Sequence, residues 1–305
     1  CLMLDFKALN HYSDFVYLAG FNGLWCIRGK LDGSWPVAAP TSSNIKGAWA
    51  GSTAYSVNDV VVSGNYYYQC IGAGTSAASG GIPVTIKFVD IPDGTAVWRL
   101  HRRVEAAALH IESDSFVNSF MTTDFTGGHI NSVLLTHTTG TNAPQNIHFS
   151  DLCEFGKPLN FGIRATAADE LYLNGIVIDG GIGAASIGVL LGTCRTVQIL
   201  NNIFYTWVTG IQIGAAATNT MVSNNVIRNT TTRGVEAVSG ALGFSITGNF
   251  INSGLRGTNA TGVHVRTSAT TDNYIVANNN FVGCTVAGLT DGSSGTNKIV
   301  TPNLS

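Results

Sequence analysis

The side chains able to do chemistry are few, and most stand alone. Hydrolysis of a glycosidic bond needs two carboxyl groups across a groove, about 5 to 9.5 Å apart. Beyond residue 182 the acidic residues are Glu236, Asp272 and Asp291, so a pair must come from upstream. Superposing Ser150-Asp151-Leu152-Cys153-Glu154-Phe155-Gly156 on Asn174-Gly175-Ile176-Val177-Ile178-Asp179-Gly180 sets Glu154 one position from Asp179 and one repeat away. Tyr205 or Trp207 follows in the next copy. Two carboxylates about one strand spacing (~4.8 Å) apart, beside an aromatic, would suit a retaining pair or a sugar subsite. Asp179-Gly180-Gly181 reads equally as a turn, and Glu154 as a residue facing water. His110, His137, His148 and His264 are isolated and read as strand or surface residues rather than bases. The six cysteines, Cys1, Cys26, Cys70, Cys153, Cys194 and Cys284, include no C-x-x-C pair. They read as buried thiols; neither a metal centre nor a cofactor is expected.

Whatever positions these groups is a repeat. A glycine followed by alternating apolar residues recurs at Gly162, Gly188, Gly210, Gly234, Gly262 and Gly288, at intervals of roughly 25 residues. A second strand runs out of phase: Leu171-Tyr172-Leu173-Asn174, Val197-Gln198-Ile199-Leu200-Asn201-Asn202, Met221-Val222-Ser223-Asn224-Asn225, Phe244-Ser245-Ile246-Thr247-Gly248-Asn249 and Tyr274-Ile275-Val276-Ala277-Asn278-Asn279. Alternation is the strand period, and Asn and Gly tolerate left-handed corners. Strand–corner–strand units of this length predict a right-handed parallel β-helix, an all-β fold. Recurrent corner asparagines predict a ladder of side-chain amides, each bonded to the next turn. A β-sandwich is the alternative, but it would not repeat one unit six times.

Composition agrees. The chain has 305 residues, 16 Lys+Arg against 18 Asp+Glu, and only 11% charged residues, with 36 glycines. A net charge of −2 argues against a nucleic-acid partner. With no run of 18 apolar residues, membrane insertion is not expected. Weak helix formers replace the missing charge. The start at Cys1, without Met or a signal-peptide pattern, reads as part of a longer chain.

Residues 47–101 form a distinct, aromatic-rich stretch, a small antiparallel β module inserted into or preceding the β-helix. Its aromatic residues are Trp49, Tyr55, Tyr66, Tyr67, Tyr68 and Trp98, and a hairpin turn is expected at Ser63-Gly64-Asn65. Residues 1–46 read as a β segment that can form a first coil, and 102–305 as the β-helix.

Trp49, Tyr55, Val60-Val61, Tyr66, Tyr68, Cys70 and the closing Asp93-Gly94-Thr95-Ala96-Val97-Trp98 resemble the chitinase-type carbohydrate-binding modules, in the form common in phage virion proteins. Asn58 and the stretch from Ile82 to Pro92 depart from that pattern. Joined to a β-helix, the module resembles a bacteriophage tailspike within the pectate-lyase-like superfamily. The resemblance implies a homotrimer on the virion, an extracellular phage particle, held to other virion proteins and bound to a bacterial surface glycan (capsule or lipopolysaccharide). It implies a sugar-binding role for Trp49, Tyr55, Tyr66, Tyr67, Tyr68 and Trp98, and the site-column reading adds Trp207. The alternative to attachment is a polysaccharide depolymerase, hydrolase or lyase, on the same scaffold; a spacer role for the module and a secreted pectate-lyase-like enzyme stay open too. Whether the chain is an enzyme is left undecided by the residues.

Overall fold

The computed structural model describes residues 2–304 except 5–6, 10–15, 33–34, 37, 84–88, 105, 127–129, 139, 157, 182, 184, 253–260 and 269. It is a parallel β-helix with three faces. The first face stacks Val16–Leu18, Ala107–Ile111, Asn131–Leu135, the first half of Phe161–Asn174 and of Ile187–Leu200, then Thr209–Ile213, Arg233–Ala237, Thr261–Ser268 and Ala287–Ser293. The second face runs from Leu2–Leu4 and Trp25–Ile27 through Phe116–Met121 and Gln145–Ser150 to Lys298–Val300. The third stacks the short strands from Lys7–Leu9 to Phe250–Asn252. All these pairs are parallel, so each turn roofs the one before it.

Inward columns carry the stability. Val133, Ile163, Val189, Ile211, Val235 and Val263 are in register on successive rungs, and all are fully buried. On the third face Leu31, Phe125, Phe155, Ile178, Phe204, Ile227 and Ile251 do the same. A slip of one residue would turn a whole column outward, so this burial fixes the register.

The repeating glycines have a steric cause. A Cβ on Gly188 would lie 2.5 Å from the carbonyl oxygen of Gly210 and 3.0 Å from the Phe204 ring. The first face therefore approaches the core side chains of the third too closely for any side chain at this position.

The asparagine ladder forms at the corner between the second and third faces. Asn202, Asn225, Asn249 and Asn279 each donate Nδ2 to Oδ1 of the next member, ending on Asn303, at 2.9–3.0 Å. The same Oδ1 atoms accept the preceding member's backbone N–H. The residues just before them, Asn201, Asn224, Gly248 and Asn278, hold the left-handed conformation, φ 57, 55, 66 and 57°. In each pair the first residue makes the corner and the second is buried to bond.

The chain leaves this stack after Asp32 and re-enters it at Ala107. Between them lies a five-stranded sheet in the order Ile91–Asp93, Ala96–Arg103, Tyr66–Gly72, Val60–Ser63, Ile45–Ala48, antiparallel except for the last pair. Gly64, at φ 57°, turns the hairpin between Val60–Ser63 and Tyr66–Gly72. The module rests on the β-helix through a shared apolar cluster of Trp35, Val60, Tyr67, Ile130 and Leu159.

Candidate functional site

Where module meets helix, the described residues line an open cavity of about 610 Å³. Its floor belongs to the first face. In Ala107–Ile111, Leu109 and Ile111 point into the core, so His110 points out. Tyr17 and Leu134 are its register neighbours on the rungs below and above. Glu112, two residues beyond His110, also lines the cavity, as do Thr136 and Thr138. The roof is the module: Val62, Gly64 and Asn65 of the hairpin, and Arg103 with Val104 where the chain returns.

Glu112 is the electrostatic centre. It follows directly on the strand Ala107–Ile111 and lines the cavity, yet the residue is only 2% exposed. Oε1 accepts the Ser113 N–H at 3.0 Å, the Ser113 hydroxyl at 2.7 Å and the Thr138 N–H at 2.8 Å. Oε2 accepts the Thr136 hydroxyl at 2.6 Å and that of Thr138 at 3.0 Å. Burial alone would raise its pKa; the bonds from Thr136, Ser113 and Thr138 outweigh burial and pull it down to about 2. The group is a fixed carboxylate. Because Thr136 donates to it, the same hydroxyl accepts from His110 Nε2–H at 2.6 Å. The Tyr17 ring stands edge-on to His110, centroids 4.9 Å apart, and is 55% exposed. An open aromatic ring next to hydroxyls and an amide suits a sugar, whose C–H face lies on the ring while its hydroxyls find the polar groups.

The residues singled out in the sequence lie elsewhere. Glu154 is level with Asp124 and Val177, not with a neighbour of Asp179. Asp179 is level with Gly156 and Tyr205, so the two acids are two positions apart along the strand, not one. The Asp179 side chain accepts the Gly180 N–H at 2.8 Å, a local turn bond. Trp207 is fully buried and donates its indole N–H to the Ile178 carbonyl at 3.1 Å. It leaves no ring face for a ligand.

The module's rings are likewise committed. Trp98, Tyr68 and Tyr55 form its core. Trp49 and Trp98 both donate their indole N–H to Asp93 Oδ2, at 2.8 and 3.2 Å. Tyr67 faces the β-helix, where its hydroxyl accepts from Asn160 Nδ2 at 3.3 Å. Trp49 and Tyr66 are half-buried against the same core. Among the described residues, the rings that do stand open are Tyr17 and Trp25, on the helix.

The sequence reads His110 as a strand or surface residue and does not single out Glu112. The signal was the alternation Leu109-His110-Ile111-Glu112 beside Thr136-His137-Thr138, which sets polar groups on one side of consecutive strands.

Residues 159–304, just under half the chain, match the family model described as periplasmic copper-binding protein (NosD). Among curated proteins no match to the chain is found. Among solved structures, the surface protein and adhesin PfbA of Streptococcus pneumoniae is similar at a TM-score of 0.48 and 12% identity, covering 98% of this chain and 67% of that one.

Proposed function

We propose that this chain is part of a phage virion spike that attaches to a bacterial surface polysaccharide by non-covalent binding, with one stretch of glycan in the cavity between module and helix. The observation that carries the reading is that cavity: an exposed Tyr17 ring beside Asn65, His110, Thr136 and Thr138, with a permanent carboxylate behind them. Trimeric assembly on the virion is part of the proposal. Met221, Ile275 and Ile299 share one outward column of the second face and are exposed, as a face covered by a neighbouring copy would be. The test is calorimetric titration with oligosaccharides of the host capsule and lipopolysaccharide. Tyr17→Ala should weaken binding without altering the fold; unchanged affinity would refute the placement.

The second reading, a depolymerase, draws on the hydrogen-bonded run His110–Thr136–Glu112. Attachment is preferred because Glu112 accepts five hydrogen bonds and is held ionised, whereas hydrolysis needs a carboxyl group that carries the proton for the leaving group. Appearance of new reducing ends or unsaturated sugars on incubation with host polysaccharide would reverse that preference.

The matched family's description names copper, and the residues here do not fit that metal. Among the described residues no three of His, Cys, Asp and Glu come together. Burial pushes the thiols of Cys26 and Cys194 up to about 12 and those of Cys153 and Cys284 up to about 11. Cys1 lies outside the described residues.

A further inference from the structure

We propose that the first face carries a second subsite, built on Glu236, that holds an anionic group, and that the polysaccharide is therefore an acidic one. Only the identity of the polymer rests on the attachment reading; the subsite stands on its own geometry.

Glu236 points outward between Gln212 and His264 on the neighbouring rungs, yet it is only 1% exposed. Four side chains cover it. Gln212 Nε2 donates to Oε2 at 2.6 Å. Arg233 Nη1 and Arg266 Nε both reach Oε1, each at 2.6 Å. His264 Nδ1 stands 3.6 Å from the same oxygen. Burial opposes the charge on Glu236, and the bonds from Arg266 and Gln212 and the two guanidinium charges restore it.

Charge balance then leaves a surplus. Two guanidinium ions face one carboxylate, and burial holds His264 below its ordinary pKa, with Arg233 adding to the effect. The cluster carries a net charge of +1 on a chain whose overall charge is −2. A stabilising pair would need one arginine. The second makes sense as a donor held ready: Arg266 is tied down through Nε, and its side chain is 45% exposed. Guanidinium forks match carboxylate and sulfate groups bidentately. Anchoring both forks to one buried oxygen removes much of the rotamer entropy that binding would otherwise cost.

The cluster also continues the line of the cavity. His110, Leu134, Arg164, Leu190, Gln212 and Glu236 are register partners on consecutive rungs. Five rungs span roughly 24 Å, a stretch that one extended polymer can cover. Arg164 lies along it, its guanidinium 5.4 Å from the Phe161 ring centre.

The experiment uses the whole chain and three polymers: polygalacturonate, dextran sulfate and neutral dextran, titrated at low and at physiological salt. The wild type should bind at least one polyanion well above dextran, more weakly as salt rises. Arg233→Gln and Arg266→Gln should each weaken that binding about tenfold, the lower end for a charge-assisted bond. Arg266→Lys, which keeps the charge and loses the fork, should stay weakened. Preference for polygalacturonate identifies a carboxylate ligand, and preference for dextran sulfate a sulfate. Melting curves check that each variant is folded; in each single variant Glu236 keeps Gln212 and one arginine. Wild-type affinity in both glutamine variants overturns the proposal, as does a wild type that binds neither polyanion. Tyr17→Ala should leave the contribution of Arg233 and Arg266 to polyanion binding in place, so a wild type that binds a polyanion but no host glycan counts against the cavity and not against this subsite.

Discussion

The carboxylate of Glu112 should act as an acid-sensitive clamp on the seam between module and helix. Its pKa falls from 4.5 to about 2 on folding. A depressed pKa means that the unfolded chain binds the proton more readily, so the stabilisation is complete above about pH 4.5 and is lost as pH falls toward 2. At 1.36 kcal/mol per pKa unit, the shift corresponds to about 3 kcal/mol at pH 7 and about 1 kcal/mol at pH 3. Glu112→Gln removes this contribution. Its amide keeps an oxygen for the Ser113 and Thr138 N–H groups but turns an NH2 toward the hydroxyls of Thr136 and Thr138, which must then reverse from donor to acceptor. Urea unfolding of both proteins between pH 7 and pH 3 measures the difference. The variant should be about 3 kcal/mol less stable at neutral pH, with the gap narrowing by more than half at pH 3. A gap below 0.5 kcal/mol at pH 7, or one that does not change with pH, would refute the argument that hydrogen bonds overcome burial at this residue.

Three further outcomes follow from the packing. Asn225→Ala removes the acceptor of both the Asn202 N–H and Asn202 Nδ2. Leaving buried donors unpaired should cost about 2–4 kcal/mol, seen as a lower midpoint in denaturant. Trp207→Ala should destabilise by about 3–5 kcal/mol and leave glycan titrations unchanged wherever the protein remains folded, the opposite pattern to Tyr17→Ala. Gly188→Ala should lower the melting temperature despite the better strand propensity of alanine, because its Cβ meets the Gly210 carbonyl; an unchanged melting temperature would contradict the close approach of the faces.

The β-helix was readable because its physics repeats. Glycine recurs where a carbonyl of the next turn leaves no room, and asparagine recurs where one amide can bond to the next, so both leave a period in the chain. The Glu154–Asp179 pairing shows where such reading stops. Ser150 is level with Asn174, as a simple alignment gives. The corner after it, however, holds Asp151, Leu152 and Cys153 in one turn and only Gly175 and Ile176 in the next. Asp151 and Leu152 both adopt left-handed angles, φ 52 and 65°, where the next turn has Gly175 alone. One extra corner residue shifts the following strand by one position, and hydrophobic alternation across a three-residue strand is too short to reveal it. The module's aromatics failed for a different reason. A sheet of five short strands needs large rings to fill its own interior, and residue type does not tell a core ring from an open one. The cavity depends on two segments meeting across the first face, which no local pattern encodes.

In a solenoid the outward positions of each face are normally the cheap ones: they touch water and contribute little to folding. Glu112 and Glu236 break that rule on the same face. Each is almost completely covered, the first by a threonine-bearing loop and the second by two arginines and a glutamine. A carboxylate removed from water costs several kcal/mol unless its lone pairs are filled, so these coverings are built around the charges. The two solutions differ in charge. The groups that bond Glu112 are neutral hydroxyls and backbone amides, whereas guanidinium groups bond Glu236. A neutral polymer would use the first and gain nothing from the second. An acidic polymer running along the axis gains from both, so affinity for a charged glycan should fall with Tyr17→Ala and with Arg266→Gln in proportions that multiply, and a neutral fragment of the same backbone should respond to Tyr17→Ala alone.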